Sequence, residues 1–151
     1  MKKFLVVLVG SLLCCMSCGD DDCQECPRPP GASGSPPVIS SLQCDPGSAE
    51  VGEEGGGITM DCSLFFRDPD GDLETVVFSY LDGCGVDPGP LDIDVRSQAG
   101  VLEEGTIQLE NLLIQTNCAA DTYTYDFVAV DSEDSESNEL VLQFLLVEPA
   151  P

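Results

Sequence analysis

The run Gly57-Ile58-Thr59-Met60-Asp61-Cys62-Ser63-Leu64-Phe65-Phe66-Arg67, the turn Asp68-Pro69-Asp70-Gly71-Asp72 and a second run from Leu73 through Val76, Val77, Phe78 and Tyr80 to Leu81 decide how this chain is read. Ile58, Met60, Cys62, Leu64 and Phe66 fall at every second position, and residues two apart share one face of a β-strand. Proline and glycine inside an acidic pentapeptide stop the strand and turn the chain. Two strands joined this way form either a hairpin or a corner between two sheets.

Five more strand-like segments flank this pair, at 38–44, 91–96, 106–114, 122–130 and 140–147. Turn chemistry separates them, in Asp45-Pro46-Gly47, Gly55-Gly56-Gly57, Asp82-Gly83, Asp87-Pro88-Gly89-Pro90 and Glu104-Gly105. Period-two alternation is plain in several: Leu91, Ile93 and Val95 oppose Asp92, Asp94 and Arg96; Tyr123, Tyr125, Phe127 and Ala129 share a face; so do Leu140, Leu142, Phe144 and Leu146. No segment carries a helical period. Seven short strands in roughly 110 residues predict an all-β, seven-stranded antiparallel sandwich with one core.

The region 38–148 resembles the immunoglobulin-like folds of bacterial envelope proteins, in the company of fibronectin type III, polycystic-kidney-disease and cadherin-like domains. The residues that carry the resemblance are Asp68-Pro69-Asp70-Gly71-Asp72 after the second strand, the Tyr-rich sixth strand ending at Val130-Asp131, and Ser137-Asn138 opening the last. Antibody domains differ in having a tryptophan in the third strand and a cysteine in the sixth. The resemblance bears on fold and is nearly silent on function.

The start of the chain concerns location. Lys2 and Lys3 precede an apolar run, Phe4 to Leu13, of about ten residues, too short to span a roughly 30 Å hydrocarbon core as a helix and suited to a secretory signal peptide. Cys14, Cys15 and Cys18 crowd the place where cleavage would fall, and here the chain resembles a bacterial lipoprotein. In that family the peptidase cuts before a cysteine that receives diacylglycerol, with a small residue just ahead of it. Cys18, preceded by Ser17 and followed by Gly19 and Asp20, matches best, although Cys15 and Met16 depart from the usual pattern. The alternative is ordinary cleavage that leaves an odd free thiol. The expected layout is a signal peptide at 1–17, a disordered Pro/Gly/Ser-rich tether at 18–37 and the sandwich at 38–148. Asp20-Asp21-Asp22 is similar to the export signals of some surface lipoproteins, so the expected location is the cell envelope, lipid-anchored in the outer membrane and surface-displayed, against a linker that faces the periplasm.

Loss of residues 1–17 removes both lysines and no acid, leaving three arginines against 28 carboxylates, a net charge of about −25. Such a surface repels phosphate backbones, which argues against nucleic acid as a partner. Anionic headgroups would repel it equally, so the membrane is reached through acyl chains. The chain has no histidine and no tryptophan, so the usual general base of triad hydrolases and the commonest metal ligand are both missing. The expectation is a protein that is not an enzyme.

With Cys14 and Cys15 removed and Cys18 lipidated, Cys23, Cys26, Cys44, Cys62, Cys84 and Cys118 remain, an even set that suggests three disulfides in an oxidising compartment. In a sandwich the loops after the third and fifth predicted strands lie at one end, so Cys84 can reach Cys118, and Cys44 can meet Cys62 on the neighbouring strand. That leaves Cys23 with Cys26, a C-x-x-C read as a local structural disulfide, with redox chemistry, zinc and exchange with another pairing as the alternatives.

Asp68, Asp70 and Asp72 offer carboxylates at i, i+2 and i+4, a spacing with which a turning backbone can aim oxygens at one hard cation. This is not an EF-hand, since Leu73 stands where the glycine and Ser79 where the bidentate glutamate would be. The loop after the sixth predicted strand, with Asp131 and Asp134, is expected at the same end of the sandwich. Calcium is the natural cofactor for such a set, against plain solvated turns. The function expected is binding, adhesion or envelope structure, with a protein or glycan as ligand. An accessory subunit docking on an envelope complex or transporter, and a small hydrolase, are the competing readings. An apolar patch around Phe65 would favour docking, and a deep cleft with paired carboxylates would favour catalysis.

Overall fold

The computed structural model describes residues 34–52, 55–82 and 89–151. Among the described residues are eight strands: β1 (Val38–Asp45), β2 (Ser48–Glu50), β3 (Gly57–Arg67), β4 (Leu73–Asp82), β5 (Leu91–Asp94), β6 (Glu104–Gln115), β7 (Thr122–Asp131) and β8 (Leu140–Val147). They form a three-stranded sheet in the order β1-β3-β6 and a five-stranded sheet in the order β2-β8-β7-β4-β5. The two inner faces share one core, so the domain is an all-β sandwich.

All seven expected strands are present, with ends shifted by a few residues, but the seven-stranded, wholly antiparallel arrangement needs correction. An eighth strand, β2, pairs parallel to β8, with Ser48 opposite Leu145 and Glu50 opposite Val147. The physical reason lies in the break at Pro46-Gly47. The chain leaves β1 in one sheet, crosses to the other, and continues in the same direction as β8. Ser48-Ala49-Glu50 buries only Ala49, too little to produce a periodic signal.

The run that opened the reading is a corner between sheets. β3 belongs to the three-stranded sheet and β4 to the five-stranded one, so the acidic turn carries the chain across the core. Ile58, Met60, Cys62, Leu64 and Phe66 are all buried, as the alternation requires, and face Phe78, Tyr125, Phe127 and Phe144. The aromatic rings form one cluster. Phe78 stacks on Tyr125 with centroids 5.4 Å apart, touches Phe127 at 5.0 Å, and Phe144 meets Tyr125 edge-on. The Tyr125 hydroxyl is buried without a hydrogen-bond partner, and burial, with the nearby Tyr80 and Tyr123, pushes its pKa up, so the phenol stays neutral.

Cys44 and Cys62 stand opposite each other in the β1–β3 register and are joined by a disulfide, the pairing expected from strand order. Cys118 is also disulfide-bonded, while its expected partner Cys84 lies outside the described residues. Cys18, Cys23 and Cys26 lie outside them too.

Candidate functional site: an acidic end between the two sheets

Two strands from opposite sheets end on an inward-facing aspartate. In β3 the buried phase that runs to Phe66 continues to Asp68, and in β7 the phase through Phe127 and Ala129 continues to Asp131. Asp68 is 0% and Asp131 2% exposed. A carboxylate pays heavily for leaving water unless donors or cations meet it, so the partners of these two groups decide what the site is.

The turn itself is held by Asp68. Its N–H donates to the Glu103 carbonyl at 2.7 Å, its carbonyl accepts from the Gly71 N–H, and its Oδ2 accepts from the Asp72 N–H at 2.8 Å. Gly71 has φ +65°, and a Cβ there would stand 3.1 Å from the Val101 carbonyl, so both conformation and space call for glycine. Asp68 Oδ1 is buried and accepts no hydrogen bond. Asp70 Oδ2 accepts from the Gly34 N–H at 3.2 Å, which brings the last residues before the domain onto the site. Asp72 is tied to the far loop, its carbonyl accepting from the Ser132 N–H at 3.1 Å and its Oδ2 from the Ser132 hydroxyl.

Carboxylate oxygens of Asp68, Asp70 and Asp72 all lie within 4.8 Å of one another. Asp131 stands alongside, opposite Leu73 in the β4–β7 register. Its Oδ1 accepts from the N–H groups of Glu133 and Ser135, both at 2.8 Å, while Oδ2 is buried without a partner. Asp134 occupies the turn beyond, exposed, with φ +62°, and its N–H donates to the Asp131 carbonyl. The structure therefore brings the two loops together at one end of the sandwich. It gathers Asp68, Asp70 and Asp72, seats Asp131 next to them in the fold, and leaves Asp134 facing solvent.

The electrostatics follow from this crowding. Burial pushes the Asp68 carboxyl up, helped by its contact with Asp70 and by the charges of Asp70 and Asp72. Asp70 moves the other way. Burial works against its charge, but the Asp68 carboxyl and the Gly34 and Ser35 N–H groups outweigh it. A carboxyl with a raised native pKa contributes stability in full below its unfolded value of 3.8 and loses it as pH rises through the native pKa. In chelator, thermal melts should therefore show Asp68→Asn more stable than the parent at pH 7, with the advantage shrinking toward pH 4, because the amide can donate to Asp70 without a charge. An unchanged difference across that range would show that Asp68 does not titrate there.

The exposed Phe65 has the polar Ser40 and Thr106 directly opposite it on the neighbouring strands, with exposed Val38 diagonal to it. A cavity of about 270 Å³ lies over the Cys44–Cys62 disulfide, beside Asp45 and Asp61, and one of about 240 Å³ is lined by Phe78, Tyr80, Pro90, Leu91 and Leu113. Ser132, which ties the two acidic loops together, was not singled out by sequence. The inward phase of Asp68 and Asp131 was available, because each sits two residues beyond the last buried apolar position of its strand.

No protein-family model matches the chain, and no curated protein matches it significantly. Among solved structures it is similar to the PKD domain of an M14-like peptidase from a Thermoplasmatales archaeon. The TM-score is 0.43 at 21% identity, over 76% of this chain and 98% of that one. It is also similar to a Niemann-Pick type C2 protein from the Japanese carpenter ant, with TM-score 0.42 at 12% identity, over 78% of this chain and 98% of that one. Similarity at this level carries no functional argument, and the fold assignment rests on the two sheets themselves.

Proposed function

We propose that this chain is a non-enzymatic lipoprotein of the bacterial cell envelope that presents one immunoglobulin-like sandwich for binding, adhesion or envelope structure, with a calcium ion at its acidic end. The observation that carries the cation is the set of Asp68, Asp70 and Asp72 oxygens within 4.8 Å of one another, with the Oδ1 of the fully buried Asp68 lacking a hydrogen-bond partner. Like charges held so close raise the energy of the native state, and a divalent ion relieves this by giving the oxygens a shared positive partner. Calcium suits the site because it accepts oxygens in irregular geometry, whereas magnesium demands a near-octahedral shell and keeps its waters. Asp68, Asp70 and Asp72 would hold the ion, and the Asp72–Ser132 contacts would pass its ordering effect to the β7–β8 loop.

Millimolar calcium acting on a site with Kd around 0.1 mM should add about 1 to 1.5 kcal/mol. In a domain of this size that is a melting shift of several degrees. Asp70→Asn with Asp72→Asn should abolish the shift. Magnesium at equal ionic strength is the control, since screening of a net charge of about −25 stabilises any such fold. Equal shifts with the two ions, unchanged in the double variant, would make these loops solvated turns.

The anchor is assigned to Cys18 on its Ser17-Cys18-Gly19 context. Cys18→Ala should abolish palmitate incorporation and release the protein from the membrane fraction, because acyl chains are the only attachment a surface this acidic retains. Undiminished labelling would move the anchor to Cys14 or Cys15.

A further inference from the structure

The inward-facing residues of β5, and of the residue just after it, lose their cover in one direction. Leu91, Ile93 and Val95 share one phase, and Val95 is 0% exposed, Ile93 partly buried and Leu91 49% exposed. The register explains the trend. β5 begins at Leu91, opposite Phe78, so β4 runs on beyond the paired region through Tyr80, its next inward residue. The core opens here into the cleft of about 240 Å³, which lies between the β4 and β5 ends of one sheet and the last residues of β6 in the other.

The lining decides what the cleft can hold. Phe78 and Tyr80 form an aromatic wall that continues into Tyr125, whose ring lies 5.4 Å from Phe78 and 4.8 Å from Tyr80. Pro90, Leu91 and Leu113 supply aliphatic surface, and Gln115 the only carboxamide. None of the lining residues is charged, in a chain with 28 carboxylates. An anion would be repelled by the acidic surface, and a cation would find no carboxylate inside to pair with, so the occupant that suits this lining is neutral. Phe78 is only 4% exposed, so a flat partner surface stays above it, whereas a thin ring reaches it. An apolar cavity of roughly 150 Å³ is enough for benzene, and this one has room for about two rings.

We propose that this cleft is a binding site for a neutral, planar aromatic molecule of about two fused rings. The molecule enters between the sheets, adds to the Phe78, Tyr80 and Tyr125 cluster in offset or edge-on contact, and takes Leu91 out of water. The site stands apart from the acidic end. Asp72 lies just before β4 and Tyr80 near its other end, roughly 25 Å along the strand, so the cleft does not depend on a cation being bound.

The test follows the amide resonances of the full chain in detergent micelles. The neutral probe is 2-naphthalenemethanol, and 2-naphthoate, which keeps the rings and adds a negative charge, is its control. The alcohol should shift the resonances of residues 78–80, 91 and 113–115 saturably, with Kd on the order of 0.1 to 1 mM. The naphthoate should bind roughly tenfold more weakly or not at all. Leu91→Trp, which fills the cleft with a ring of its own, and Leu91→Asp, which places a charge in its wall, should each weaken the alcohol roughly tenfold or more. Val141→Ser, on the outer face of β8, should leave binding unchanged. The inference fails if the alcohol produces no saturable shifts at the cleft, if the naphthoate binds as tightly, or if neither Leu91 variant alters binding. It fails too if the parent sediments as a dimer that Leu91→Trp dissociates, since a second copy would then hold the cleft.

Discussion

Phe127→Ala is expected to cost about 3 to 5 kcal/mol and lower the melting temperature by roughly 15 to 25 °C. Phe127 is fully buried in β7, opposite both Phe78 of β4 and Leu140 of β8, and its ring lies 5.0 Å from that of Phe78. Truncation removes the transfer free energy of the ring and leaves a void whose walls belong to three hydrogen-bonded strands, which cannot collapse into it freely. Domains of this kind have about 5 to 15 kcal/mol in total, so a large share would be lost. Val128→Ala is the control, since that side chain is only partly buried on the outer face of the same strand and its loss should stay below about 1.5 kcal/mol. If the two variants melted alike, β7 would be out of phase and the core as described would be wrong.

Removing the Cys44–Cys62 disulfide through the double alanine variant should cost about 3 kcal/mol, and a melting shift of roughly 10 to 20 °C. The bond closes a loop with a sequence separation of 18, and the chain-entropy argument assigns that cost to the freedom regained by the unfolded state. Cys62 also faces the core, so its truncation adds a small packing loss. The opening should be local before it is global. β1 should lose amide protection first, because it is an edge strand held on one side by β3 and at Ile39 by Asn138. Peptide mapping without reductant checks the premise, and a Cys62 peptide linked to Cys118 would overturn it.

Much of this fold was legible because its strands alternate strictly. The inward set of β3 and the aromatic face of β7 could be assigned residue by residue, since every second side chain is apolar and burial of one face needs nothing more. The acidic loops were legible too, through proline and glycine flanked by aspartates. β2 was not, because three residues with one buried alanine carry no period. The phase of Asp68 and Asp131 could have been extended from the strands before them, whereas an acid is ordinarily read as the place where a strand stops. Gln98, whose carboxamide bonds the Gln108 backbone on β6, left no trace at all, and Asn138 was read only as part of the Ser137-Asn138 opening of the last strand, not as a partner of strand backbone. A carboxamide that bonds strand backbone needs no particular neighbours in sequence, and the partners are 10 and 99 residues away.

The position of the disulfide also has a mechanical consequence. A pull entering the domain at its N-terminal side, past Gly34, loads β1 first and peels it from Val38 toward its far end. The covalent link at Cys44 stops that zipper before the strand is fully detached, and only about 20 to 25 Å of slack is released before the load passes to β3 in the middle of the sheet. Tension beyond that point must shear a central strand against its neighbours, which resists far more than an edge does. The sandwich is thus built to yield a little under tension and then hold.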